Sequence, residues 1–145
     1  MLEKVKQRIA WVDEHMAGSV AQDLGMEALA YDERTGVVTL RCRTAQWMRN
    51  GHGVVHGGLC TTIADQSIGT VVACCKPQEG ICPTIDLHME FHRPLLPDKN
   101  VLVQVQILSA TRSLIRGTAR LYHEDAPEKL CVSASATFFY VPSEK

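Results

Sequence analysis

The stretch His56-Gly57-Gly58-Leu59-Cys60-Thr61-Thr62-Ile63-Ala64-Asp65-Gln66 and its continuation to Cys75 (HGGLCTTIADQSIGTVVACC, residues 56–75) decides the fold. From Gly57 to Cys75 it holds no proline and a single charge, Asp65. It therefore reads as one helix, about 28 Å long at about 1.5 Å per residue. A helix this apolar must be buried on most sides. Pro77 and Gly80 punctuate its end, which places the central helix over residues 57–76.

Working outward, Val5, Ile9, Val12 and Met16 recur at helical spacing, so residues 2–16 form an amphipathic helix that ends near Gly18. Met26 to Tyr31 and Val37 to Arg43 flank the turn-like Asp32-Glu33-Arg34-Thr35-Gly36 and predict a hairpin. Residues 44–56 hold no clear period and read as an ordered loop. Beyond the central helix the pattern alternates. Ile81, Pro83, Ile85, Leu87, Met89 and Phe91 interleave with Asp86, His88, Glu90 and His92, and further strands follow near residues 101–108, 114–123 and 130–141. One long apolar helix, two short strands before it and four long ones after it give an α+β class. An antiparallel sheet then wraps around the central helix in a single domain spanning residues 1–145.

The chain has 145 residues and a formal net charge of -1, with no Lys/Arg run. It offers nucleic acid or an anionic membrane no long-range attraction. The charged N-terminal MLEKVKQRIAWVDEHM lacks the apolar core of a signal peptide, and no stretch approaches the roughly 18 apolar residues of a membrane span. A cytoplasmic location is expected. Six cysteines (42, 60, 74, 75, 82 and 131) form no CxxC pair and several lie in apolar periodic segments, so reduced, mostly buried thiols are expected.

A carboxylate inside a buried helix loses hydration, so Asp65 must be paired, hydrogen-bonded, protonated or useful. The alternative to a functional role is a bond to a neighbouring hydroxyl or backbone group. At the start of the helix, next to His56-Gly57-Gly58, the first N–H groups are unpaired and the dipole is positive. Glycine lets a ligand approach there, and such donors can hold an oxyanion. Gly57 and Asp65 nevertheless lie about 12 Å apart along one helix, whereas a reacting carbonyl needs donor and nucleophile near 3 Å. One helix cannot supply both. Two copies with antiparallel central helices can, which predicts a dimer with two composite sites.

Asn50, the His56-Gly57-Gly58 triplet, Asp65 seven residues after Gly58, and the segment Ile81-Cys82-Pro83-Thr84-Ile85-Asp86-Leu87 through Pro94 resemble the hotdog-fold acyl-CoA thioesterases of the phenylacetate-pathway type. The resemblance runs in element order over residues 20–141. It implies a hotdog fold and hydrolysis of an acyl-CoA to a free acid and CoA. By motif position, it implies that the Gly57 N–H polarises the thioester carbonyl and that Asp65 of the partner subunit acts as nucleophile or general base. Asn50 and His56 would orient the thioester or assist the leaving thiolate, and Thr84 would place water. Gly58, Gln66, Arg93 and Arg112 are the substrate-binding candidates, the arginines for the phosphates of CoA. The resemblance implies no metal and no cofactor other than the CoA of the substrate. It leans to a homotetramer built as a dimer of dimers.

Other readings compete. His52/His56 and His88/His92 share i, i+4 spacing, which would pair two metal ligands on a helix. The first pair lies in a loop, however, and the second in a strand, where four residues span roughly 13 Å. His88 and His92 fit a solvated sheet face or a polar subunit contact better. Cys60 with His56 has the residue types of a thiol nucleophile, against which stands its apolar setting beside Leu59 and Ile63. Trp47, Met48 and Met89 are candidates to border a pocket. A hotdog hydratase or dehydratase would use His56 and Asp65 for acid–base work, and a non-catalytic acyl-CoA-binding protein would keep the fold alone.

Overall fold

A computed structural model of the chain describes residues 1–76 and 80–143. Two helices come first, α1 (Leu2–His15) and the short α2 (Val20–Asp23). Strands β1 (Glu27–Asp32) and β2 (Val37–Arg43) follow, then a 3-10 turn at Gln46–Met48 and the long helix α3 (Gly57–Ala73). After it come β3 (Gly80–Ile81), β4 (Thr84–Phe91), β5 (Asn100–Ala110), β6 (Leu114–His123), β7 (Val132–Phe139) and β8 (Val141–Pro142). Six strands form one antiparallel sheet in the order β1-β2-β5-β6-β7-β4, and β3 pairs with β8 in a small ribbon.

The inward residues of the sheet close over α3. Val103, Val105, Ile115, Ala119 and Leu121 are fully buried, as are Ile63, Ile68 and Val72 of the helix. Each inward residue alternates with an outward one, as a sheet with one solvated face requires. Gly117 of β6 lies where the helix crosses closest: a Cβ there would stand 3.0 Å from Ile68 Cγ2. The sheet wrapped around one central helix is the architecture expected of the hotdog fold.

Several boundaries differ from expectation. The central helix stops at Ala73, short of residue 76, because the Cys74 N–H turns to the Val71 carbonyl and the Cys75 N–H to the Val72 carbonyl, the tighter pattern that ends a helix. Pro77, read as its stop, lies outside the described residues. Ser19 caps an unexpected turn of helix, α2, by accepting the Gln22 N–H. The run from Ile81 to Phe91 is two strands, and its apolar residues Ile81, Ile85 and Phe91 are 67%, 58% and 56% exposed. For Ile85 and Phe91 the cause is topology: β4 is an edge strand, so one side of it has no neighbour within the chain, while Ile81 lies in the separate β3–β8 ribbon. Its polar face is a network in which Glu90 lies 3.5 Å from His88 Nε2 and accepts a 3.2 Å bond from Ser133 Oγ, itself 2.8 Å from His92 Nε2.

All six cysteines carry free thiols, four of them buried. Among the described residues no helix is long and apolar enough to cross a membrane.

Candidate active site

The loop before α3 is shaped by Asn50. Its Oδ1 accepts the N–H groups of His52 (2.9 Å) and Val54 (3.4 Å), and its own N–H donates to the Val54 carbonyl at 2.8 Å. Gly53, at φ 80°, takes the left-handed turn that other residues resist. The Val55 N–H then donates to the Leu95 carbonyl and the His56 N–H to the Met48 carbonyl, which aims the chain into the helix.

His56 is the N-cap of α3, and its Nδ1 accepts the Gly58 N–H at 2.9 Å. A Cβ on Gly58 would lie 3.2 Å from that nitrogen, so this glycine gives the capping imidazole its room. Because Nδ1 accepts, the neutral ring carries its proton on Nε2. The Gly57 N–H has no partner among the described residues. It stands at the positive end of a 17-residue helix. Beside it opens a cleft of about 360 Å³ lined by Asn50, Gly57, Phe91 and Arg93. An unpaired N–H at a helix start facing open space can donate to a carbonyl oxygen.

Two turns along α3, Asp65 is partly exposed on an open stripe that also includes Thr62, Gln66, Gly69 and Ala73. Its charge therefore keeps water, and the desolvation expected of a fully buried carboxylate does not arise. Thr84 Oγ1–H donates to Asp65 Oδ1 at 2.7 Å, which orients the carboxylate from the start of β4. A second cleft of about 270 Å³ contains Asp65, Gln66 and Thr84. The Gln66 side chain donates to Thr70 Oγ1 at 3.3 Å.

The expected site residues thus fall into two groups. Asn50, Gly57 and Arg93 share one cleft, with His56 and Gly58 at its helix start; Asp65, Gln66 and Thr84 share the other. Arg112 borders neither and lies in the turn between β5 and β6, where its carbonyl accepts a bond from Lys76. Met48 is buried, Trp47 is 67% exposed and Met89 half-buried, and none of the three lines either cleft. Burial pushes the Cys60 thiol up to about 11, and His56 already uses Nδ1 for the cap, so the pair lacks the geometry of a thiolate nucleophile. Among the described residues no three His, Cys, Asp or Glu side chains are grouped to hold a metal.

Two neighbours of the site escaped the sequence reading. Phe91 packs beside Gly57, with its Cζ 3.5 Å from where a Cβ would stand, and Arg8 of α1 lines the Asp65 cleft. Phe91 belonged to an alternating run that read as core, and nothing in α1 indicates where that helix docks.

A family model described as Thioesterase superfamily matches residues 52–129. Solved structures similar to the chain include a phenylacetic acid degradation-related protein of Ralstonia eutropha JMP134, at 21% identity and a TM-score of 0.76 over 91% of this chain and 98% of that one. Zebra fish thioesterase superfamily member 2 is similar at 19% identity and a TM-score of 0.79, over 97% and 99% of the two chains. A protein of Streptococcus mutans UA159, solved bound to acetyl CoA, shares 16% identity at a TM-score of 0.69, over 83% and 91%. No curated protein matches the sequence. The family model takes in more than half of the residues, the central helix from its His56 cap onward among them, and the chain belongs to the Thioesterase superfamily.

Proposed function

We propose that the protein hydrolyses an acyl-CoA thioester to a free acid and CoA. Membership of the superfamily supports acyl-thioester hydrolysis in general, and a structural neighbour solved with acetyl CoA supports the CoA carrier. The observation that carries the reading is the Asp65 carboxylate, open to a cleft and oriented by the Thr84 hydroxyl at 2.7 Å. With one oxygen engaged by Thr84, the other is available to attack the thioester carbon or to take a proton from water. The Gly57 N–H supplies the oxyanion donor, and His56 Nε2–H, turned outward by the cap, is placed to orient the thioester or protonate the leaving thiolate.

The two clefts share no lining residue within one chain. The catalytic site is therefore composite: Gly57 of one protomer acts with Asp65 of a second copy. The exposed edge of β4 and the open stripe on α3 are the surfaces that support this pairing. No metal and no separate cofactor take part, and a dimer of dimers in the cytoplasm completes the proposal. Thiol release from a panel of acyl-CoAs tests it. Asp65→Asn keeps the shape and the Thr84 bond, and it should lower kcat by about 10² to 10⁴-fold. Turnover unaffected by that change would sink the mechanism, and hydration of an enoyl-CoA without thiol release would favour a hydratase.

A further inference from the structure

Helix α1 is pinned to the body by Val5, which is fully buried, and by Ile9, one turn on. Arg8 sits at the rim of that anchored face. Its guanidinium lies over the Trp11 ring, 4.8 Å from the centroid, and Trp11 stacks on His15 with centroids 4.9 Å apart. The column of residues 8, 11 and 15 holds the cation in place along one helix face. Arg8 has no ion-pair partner among the described residues. It lines the same cleft as Asp65. Burial raises the Cys82 thiol, and the charges of Lys76 and Arg8 pull it back, which puts the Arg8 charge near another wall of that cleft.

The cleft follows α3 from Asp65 to Ala73, about 12 Å at about 1.5 Å per residue. Its lining is mixed: Gly69, Ala73, Ile81 and Phe138 are small or apolar, whereas Arg8, Asp65, Gln66, Thr70 and Thr84 are polar or charged. A volume of about 270 Å³ holds roughly nine water-sized groups at about 30 Å³ each. The part of the pocket that one chain supplies is shorter than a long fatty chain. A groove of mixed lining that holds a cation without an ion-pair partner suits a short chain that ends in an anion.

The geometry points to Arg8 as a specificity-determining residue: the Asp65 cleft takes the acyl group, and the guanidinium selects a short acyl chain ending in a carboxylate. This rests on the hydrolytic reading of Asp65 and names the substrate class for that site. The same guanidinium chemistry would also suit a CoA phosphate, so the test separates the two sources.

Adipoyl and hexanoyl thioesters differ only in the terminal carboxylate. Their kcat/KM ratio is to be measured for wild type, Arg8→Gln and Arg8→Lys, on CoA and on the phosphate-free carrier N-acetylcysteamine. Wild type should prefer adipoyl, Arg8→Gln should lower the ratio about tenfold on both carriers, and Arg8→Lys should retain part of the preference. An unchanged ratio overturns the assignment. So does an equal loss for both acyl groups that appears only on CoA, because it gives Arg8 to the phosphates. Calorimetric binding of the matching non-hydrolysable thioether analogues of CoA supplies a readout independent of turnover. If no thioester is hydrolysed, the hydrolytic reading fails, yet an adipoyl preference in binding that Arg8→Gln removes still supports the assignment. Equal binding of the two analogues by wild type overturns it.

Discussion

At the scale of single residues, the chemistry depends on small groups held by specific partners. Asp65 was legible in the sequence as the one charge in an apolar helix, and Thr84 entered by motif position as a residue that would place water. The 2.7 Å bond between them exists because β4 passes the helix at that point. Gly58 had another role to show: its missing side chain accommodates the His56 ring, a contact that no spacing rule reveals. His123 was invisible as a support of the site. Its Nε2 accepts the Leu96 N–H at 2.9 Å, and the neighbouring Leu95 carbonyl accepts the Val55 N–H at the entrance to α3. Burial lowers the His123 pKa from 6.5, so the folded protein favours the neutral ring. A lowered folded value means that its contribution is complete above 6.5 and is lost as pH falls below it, because the unfolded chain then binds the extra proton. Urea denaturation at pH 7.5 and pH 5.5 should show a larger loss of stability in wild type than in His123→Asn. An equal loss in both would remove His123 as the cause.

At the scale of elements, periodicity located the helices and strands but could not say which side of each would find a neighbour. The alternation in Ile81 to Phe91 suggested a half-buried strand, yet on the edge strand β4 only Leu87 and Met89 are half-buried and Ile85 and Phe91 stay open. The central helix likewise reads as apolar throughout, and it keeps an open stripe because the sheet covers only part of its circumference. Where helix and sheet do meet, Gly117 sets the separation. Gly117→Ala puts a Cβ 3.0 Å from Ile68 Cγ2 and 3.2 Å from Ile107 Cδ1. Overpacking of this kind should cost about 1–3 kcal/mol, less the smaller gain from restricting the unfolded chain. The urea midpoint should fall, and Ile107→Val in the same chain, which deletes the contacting Cδ1 methyl, should recover part of it. A midpoint that rises instead would show that Ile68 yields without strain.

At the scale of the whole molecule, two clefts on one chain divide the groups proposed for catalysis, and the proposed composite site makes a quantitative prediction. Asp65→Asn and Gly57→Val variants, each inactive alone, are to be co-expressed. In a mixed dimer one site combines the native Gly57 of one subunit with the native Asp65 of the other. Random pairing then restores about a quarter of the wild-type activity. No recovery would show that Gly57 and Asp65 do not act together in a shared site. By itself the sequence determined an antiparallel sheet around one apolar helix, the helix start at His56-Gly57-Gly58 and the isolated carboxylate at Asp65, because periodicity, glycine and a lone charge are local properties of the chain. Only the tertiary structure decided that β4 is an edge, that Asp65 stays open and bonded to Thr84, and that Arg8 borders its cleft. Those depend on which elements pack side by side, and packing is settled by contacts between residues far apart in the chain.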